Sequence, residues 1–458
     1  MGWSVLCSSS TAFSSSSKHV LKELPMALDA QQLRIEGIYQ QKGGRYMQRI
    51  KLAAGVISVA QAEVVANLAT GFADGLVHLT TRGSMELHGI EEVHIAEIAR
   101  QLAAVGLTSR GACGGAVRGI SCSTAFAPEY PQLQVLVRKL HHYFTQNPHF
   151  EGLPKKFKIS VEAGYAHGHH LIQDVSLVYW PDQQAFDVWV AGGLGKEPHP
   201  AFLLSSAVTE DQVIPLLEDI ANIYKEHAPK GRRLKHLVRE IGQDGFCTLL
   251  TKHRSPVISA PLSDGFPKGL LPTASTAEPH HHRLELPIFA GQLTAQGIRT
   301  IACLAKDYAG GFLVVTTNQN IALFFAESEQ FRQVSTTLQA AGMCDDLPEQ
   351  RVVFRICPGN HECRMGLVAT RDLAKMLIKV MGPAARKLTW AISGCHNSCS
   401  QPQLADMGIF VSRLIQTPAG SAQPFFTVLR RLLPTSFATM TAEHISQDEL
   451  LAFVARLS

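Results

Sequence analysis

No stretch of this 458-residue chain stays apolar for the length a membrane helix needs, and charge is sparse too, at 17% of residues with a net +4. The first absence argues against a membrane partner. The second leaves no broad basic surface for nucleic acid, so cations must matter by position rather than by sum. No dinucleotide glycine fingerprint follows a strand pattern, no flavin segment is evident, and no C-x2-C-x2-C run of the ferredoxin kind occurs. Ten cysteines in this length are too few for a disulfide scaffold. What is present is a 46% hydrophobic composition, that of a globular protein able to bury a large core, with length for about three domains.

Residues 1–25 are serine-rich and acid-free until Glu23, but lack a basic start followed by a long apolar core and a cleavage site. They read as a disordered extension ahead of Met26. The protein is accordingly placed in the cytoplasm, or in an organelle if this segment is a transit peptide.

Sliding the chain against itself by 236 positions sets VISVAQAEVVANLA (56–69) on QLTAQGIRTIACLA (292–305), and LTTRGSMEL (79–87) on VTTNQNIAL (315–323). Each copy reads as an amphipathic helix followed by an alternating strand, a small α+β unit. The segment 261–283, rich in proline, glycine and small polar residues, reads as a linker in which His280, His281 and His282 are a solvated run. The longer segments 108–260 and 345–458 are distantly alike, LPKKFKISV (153–161) matching ARKLTWAIS (385–393). The boundaries expected are 26–107 and 284–344 for the small units and 108–260 and 345–458 for the larger domains. A cofactor between two such copies is the natural expectation, because concave sites favour domain interfaces.

The last third holds VFRICPGNHECRMG, with Cys357 and Cys363 spaced C-x5-C, and WAISGCHNSCSQPQ, with Cys395 and Cys399 spaced C-x3-C. Pairs of thiols are often small buried hydrophobes. Structural zinc usually takes shorter hooks in small domains, which leaves an iron–sulfur cluster held by four thiolates as the stronger reading.

These two motifs resemble the cluster signature of the sirohaem-containing sulfite and nitrite reductases, with His396 where proline is usual. The resemblance covers nearly the whole chain from about residue 33 and implies an α+β fold of two pseudo-twofold copies, each a ferredoxin-like half domain plus a larger α/β sirohaem and iron–sulfur domain. It implies a [4Fe–4S] cluster on Cys357, Cys363, Cys395 and Cys399, with Cys399 also bridging to the sirohaem and Asn397 near the macrocycle. Arg49, Arg118, Lys156 and Lys158 match the family's substrate-binding positions, and alternation puts both lysines on one face, opposite Phe157. His78, Thr80 and Arg82 match a strand that holds sirohaem carboxylates. Gly83 and Glu86 depart from that strand, both standing where the family carries glutamine. A carboxylate facing the cofactor's carboxylates has to turn away, be protonated or meet a cation. Tyr39 and Cys113 occupy positions that are crosslinked in some relatives, and His167, His169 and His170 read as a loop flanking the active domain.

The activity implied is six-electron reduction of sulfite to sulfide, since the nitrite type tends to carry asparagine where Lys158 stands. Nitrite reduction to ammonia, or an oxygenase like precorrin-3B synthase, are the alternatives. Electrons would come from a separate ferredoxin or flavoprotein.

Overall fold

The computed structural model describes residues 30–122, 127–145, 147–253, 282–343, 352–416 and 422–457. The serine-rich start, most of the linker with His280 and His281, and Cys344 lie outside the described residues. Among the described residues no helix is long and apolar enough to cross a membrane.

The internal repeat is visible in the fold. Helices Val59–Phe72 and Ala295–Tyr308 each begin on a hydroxyl cap, Ser58 accepting the Gln61 N–H and Thr294 the Gly297 N–H at 3.0 Å. They bury matched faces, Ala62, Val65, Ala66 and Ala69 on one and Ile298, Ile301, Ala302 and Ala305 on the other, and pack against each other. Burying a Val or Ile side chain contributes about 1.5–3 kcal/mol, so this face fixes the helix pair.

The strands before those helices are exchanged. Val56–Ser58 leaves the first copy to pair antiparallel with Phe312–Val315, and Gln292–Thr294 leaves the second to pair with Leu76–Leu79. The first small sheet thus runs Ile38–Gln40, Tyr46–Ile50, Met85–Ile90, Leu76–Leu79, Gln292–Thr294, and the second His282–Leu286, Ile321–Phe325, Phe312–Val315, Val56–Ser58. The crossovers turn at Gly55 (φ 78°) and Gly291 (φ 64°). A Cβ at Gly55 would lie 2.1 Å from the Val315 carbonyl oxygen and one at Gly291 2.6 Å from that of Leu79, so only glycine fits. The small units therefore share one hydrophobic core, a relation absent from the boundaries read in the sequence. His282 and Arg283, placed in the linker on composition, open a strand in which they pair with Phe325 and Phe324.

Each larger domain has its own core and a five-stranded sheet. In the first, Ser121–Cys122, Ile159–Glu162 and Val175–Trp180 are parallel, followed by antiparallel Ala185–Val190 and Phe202–Val208. In the second, Val353–Ile356, Thr389–Ser393 and Met407–Gln416 are parallel, followed by antiparallel Ala422–Arg430 and Thr439–Ile445. The two are copies of one plan, and loops from both close on the small double sheet.

Candidate active site

The cysteines sit where a parallel sheet places ligands, outside the carboxyl ends of adjacent strands. Cys357 follows Val353–Ile356 and Cys395 follows Thr389–Ser393, its parallel neighbour, so the two loops emerge side by side. Little bulk is tolerated between them. A Cβ on Gly366 would meet the Gly359 carbonyl carbon at 2.1 Å, and one on Gly394 would meet the Gly359 Cα at 3.1 Å. The Gly394 N–H donates to Cys357 Sγ at 3.1 Å. Burial first, then neighbouring Cys399, pushes the Cys357 thiol up to about 12, and burial raises Cys363 and Cys395 as well. Such thiols give up their protons when a metal takes their place. Cys399, exposed to the cavity, is the thiol free to face a second group.

One departure from the family pattern, His396, is absorbed locally. His396 turns away from the thiols, donating through Nε2 to the Ser412 carbonyl at 2.8 Å and lying against Phe410. The backbone of Ser398 and Gln401 is left-handed (φ 54° and 60°) and is held by the Gln403 amide on Ser398 Oγ at 3.2 Å and by the Gln401 amide on the Thr81 carbonyl at 3.1 Å.

Opposite the thiols lies the double sheet. Thr80 Oγ1 accepts the N–H groups of Arg82 (3.3 Å) and Ser84 (3.2 Å), which shapes the turn that carries Arg82. Arg82 donates to Gln173 Oε1 at 3.0 Å and to the Gly119 carbonyl. Thr81 Oγ1 donates to the Cys399 carbonyl at 2.9 Å, tying this turn to the cluster loop. His78 is buried, its ring tilted by 36° against that of His88 with centres 4.0 Å apart.

Lys156 and Lys158 precede the strand Ile159–Glu162 rather than lying in it, yet alternation holds: Phe157 is in the core and both lysines line the cavity. Burial first, then repulsion from Arg233, pushes Lys156 down to about 8, and burial with Lys156 beside it holds Lys158 well below the ordinary lysine range. Arg118 is folded onto backbone carbonyls, those of Cys113 and Gly114 at 2.8 and 2.7 Å among them. Arg49 meets Glu86 at 2.8 and 2.5 Å through Nε and Nη2 and reaches the Ala112 carbonyl at 3.2 Å. That pair answers the question Glu86 raised, because a cation stands against the carboxylate. Burial alone would raise Glu86, but Arg49 and then His88, 3.1 Å away, hold it well below the usual carboxylate range. Cys113 is a buried thiol 3.7 Å from Arg49 Nη1, and Tyr39 lines the cavity. His169 and His170 are buried in the loop behind it.

The twelve residues that the resemblance assigned to cluster, sirohaem and substrate line one cavity enclosing about 1790 Å³ of empty space, open solvent at its mouth included. Eight lysines and arginines line it against two carboxylates, a suitable wall for a macrocycle rich in carboxylates. Lys51, Arg233 and Arg371 were not found in the sequence, where a buried cation has no periodic signature. The donor set therefore fits both groups, four thiols at one end and an excess of cations at the other. Such a site defines a redox enzyme in which an iron–sulfur centre adjoins an anion-binding chamber.

Comparison with known proteins gives the family. The model described as "Nitrite/Sulfite reductase ferredoxin-like half domain" matches residues 39–105 and 278–341, and "Nitrite and sulphite reductase 4Fe-4S domain" matches 114–256, together more than half of the chain. The chain belongs to the nitrite and sulfite reductase family, and it is an oxidoreductase with that family's sirohaem and [4Fe–4S] cluster. It is 26% identical over 400 residues to "Ferredoxin--nitrite reductase" of Synechococcus elongatus, covering 81% of this chain and 77% of that one. It is 25% identical over 460 residues to "Sulfite reductase [ferredoxin] 2" of Mycolicibacterium paratuberculosis, covering 92% and 80%. The solved structure of Mycobacterium tuberculosis NirA protein shares the fold, with a TM-score of 0.78 at 21% identity over 93% of this chain and 85% of that one.

Proposed function

We propose that this chain reduces sulfite to sulfide, taking electrons one at a time from a separate ferredoxin. The observation that carries the reading is the pair Lys156 and Lys158, unpaired with any carboxylate among the described residues, in the cavity where Cys399 is exposed. Nitrite reduction is the second reading, favoured by the name of the Synechococcus relative. A flavoprotein is the alternative donor. Cys357, Cys363, Cys395 and Cys399 would hold the cluster, and His78, Thr80, Arg82 and Asn397 would lie against sirohaem.

When bound, sirohaem and the cluster supply the electron transfer that no side chain can perform. The chain's own residues do the rest. Lys156 and Lys158 attract the oxyanion and hold its oxygens with charge-assisted hydrogen bonds, fixing it in a chamber where attraction is little screened. Arg49 and Arg118, immobilised by Glu86 and by carbonyls, present fixed positive charge without reorganising. A guanidinium keeps its proton at neutral pH, whereas Lys156, with its pKa pushed down by burial, can release one to an oxygen leaving as water. The proposed location is the cytoplasm, or an organelle if residues 1–25 are a transit peptide.

The test is an anaerobic absorption spectrum with iron and labile-sulfide content of the purified holoprotein, then oxidation of reduced methyl viologen by sulfite and by nitrite. Sirohaem bands with preferential sulfite turnover are expected. Faster nitrite turnover overturns the substrate reading, and cluster iron without sirohaem overturns the reading as a whole.

A further inference from the structure

Taking one sulfite to hydrogen sulfide consumes six electrons and eight protons and releases three waters, so the chamber has to be resupplied with protons. The arginines do not give theirs up. Lysines that donate have to be recharged from outside, and one buried lysine of the chamber wall reaches a side chain that meets solvent.

Lys51 follows the strand Tyr46–Ile50, two residues after Arg49, and both side chains line the cavity. Only 3% of Lys51 is exposed. Its stem passes a gap left by Gly119, where a Cβ would lie 3.5 Å from both Lys51 Cγ and Ser84 Oγ. Its ammonium donates to the Val117 carbonyl at 3.2 Å and to Thr145 Oγ1 at 3.4 Å. No carboxylate lies within ion-pair distance among the described residues, since Glu151 is taken by Arg110 at 2.7 Å. Thr145 ends the helix Tyr130–Phe144, one turn beyond His141, whose Nδ1 is buried without a hydrogen-bond partner. Thr145 and His141 are both partly exposed and His142 beside His141 is exposed, so this end of the helix reaches solvent. A buried ring nitrogen without a protein partner is a place for ordered water.

We propose that Lys51 is the inner end of a proton-entry route that runs from the His141 and Thr145 end of this helix into the anion chamber. The inference rests on the reading of the site as a sulfite or nitrite reductase. In the step assigned to Lys51 one ammonium N–H bond breaks, the proton passes to a water in the chamber and on to a leaving oxygen, and no electron moves with it. The neutral amine then regains a proton from outside through the Thr145 hydroxyl and water at His141. The groups facing Lys51 set its readiness: burial and then Arg118 push it down to about 7, with Arg82 acting in the same direction, while Glu151 and Cys113 oppose them. On the helix side, burial and Lys51 push His141 down to about 3, so it is a neutral ring at working pH.

The experiment uses holoprotein of the wild type, Lys51→Met, Lys51→Arg and Thr145→Val, matched for sirohaem, iron and labile sulfide. Calorimetric binding of the anion turned over, in buffers of different ionisation enthalpy near pH 7.5, reads the protons taken up, and subtracting a Lys51 variant cancels the anion's own ionisation. A fraction of a proton more in wild type than in either Lys51 variant is expected. So is a kcat lowered about tenfold or more in both, with KM within about threefold and a smaller loss in Thr145→Val. Lys51→Arg keeps the charge but not the titration, so wild-type kcat and pH profile in that variant, or equal proton uptake in all, overturns the proposal. If Lys51→Met fails to load, Lys51→Arg decides. A wild-type holoprotein that reduces neither anion overturns the functional reading itself.

Discussion

Replacing Asp174 by alanine tests how the lysine pair is held. The carboxylate is fully buried and grips Arg233, itself 4% exposed, through two bonds of 2.8 and 3.2 Å, while Oδ2 also accepts the Lys158 N–H at 2.9 Å. Its removal leaves a buried guanidinium with a single weak acceptor, the Gly192 carbonyl at 3.2 Å, and an N–H with none. Breaking one side of a buried pair costs about 3–5 kcal/mol, a large fraction of the 5–15 kcal/mol that typically holds a domain. Removing both charges in Asp174→Leu/Arg233→Met should return most of that loss, because two apolar groups need no partners. Denaturant midpoints of the first large domain, followed by far-ultraviolet circular dichroism and sirohaem absorbance, measure the cycle. An Asp174→Ala midpoint equal to wild type, or a double variant as unstable as the single one, would refute the reasoning. Surviving Asp174→Ala protein should also show a raised KM for the anion, since Lys158 is no longer anchored.

Glu86→Gln frees Arg49, and the added positive charge should lower KM for nitrite by roughly threefold to tenfold, and more for doubly charged sulfite; unchanged values would show that Arg49 already acts at full strength. Because the folded-state pKa of Glu86 is depressed, its stabilisation is present above the unfolded carboxylate pKa and lost as pH falls through the folded one. Acid-unfolding curves should therefore lie closer to their neutral-pH values in Glu86→Gln. Lys158→Asn should shift the ratio of sulfite to nitrite turnover towards nitrite by about tenfold or more, and an unaltered ratio counts against Lys158 as the discriminating residue. Cys395→Ser should abolish cluster iron and labile sulfide, whereas a full complement of both would remove Cys395 from the ligand set.

The repeat was legible because the two helices bury the same positions: Ala62, Val65 and Ala66 recur as Ile298, Ile301 and Ala302. The cysteine loops were legible because thiol spacing is a local property and both follow strands with clear apolar runs. The strand exchange was not, since Val56–Ser58 and Gln292–Thr294 are three residues each and nothing in so short a segment names its partner. Arg233 was hidden in GRRLKH, where it looks like the exposed Arg232 beside it; only the fold shows that it meets the buried Asp174. Lys51 was missed for the same reason. Glu86 was noticed as a departure, but its partner lies on another strand, opposite it in the pairing of Tyr46–Ile50 with Met85–Ile90.

The cavity's cations fall into two groups with different chemistry. Five arginines are held within the protein: Arg49 by Glu86, Arg233 by Asp174, Arg371 by Glu362, Arg118 by a ring of carbonyls, and Arg82 by Gln173 and the Gly119 carbonyl. Lys51, Lys156 and Lys158 have no carboxylate partner among the described residues, and burial lowers the proton affinity of each. Fixed guanidinium groups shape the chamber and keep it positive through repeated cycles, because they neither move nor titrate. Unpaired lysines gain most from an arriving anion, which restores their charge, and lose a proton most readily once that anion is consumed. A reaction that draws in negative charge and then needs protons at the same point is served by both groups together. Exchanging the roles, with lysines paired and arginines free, would give a chamber that binds the anion but cannot protonate it.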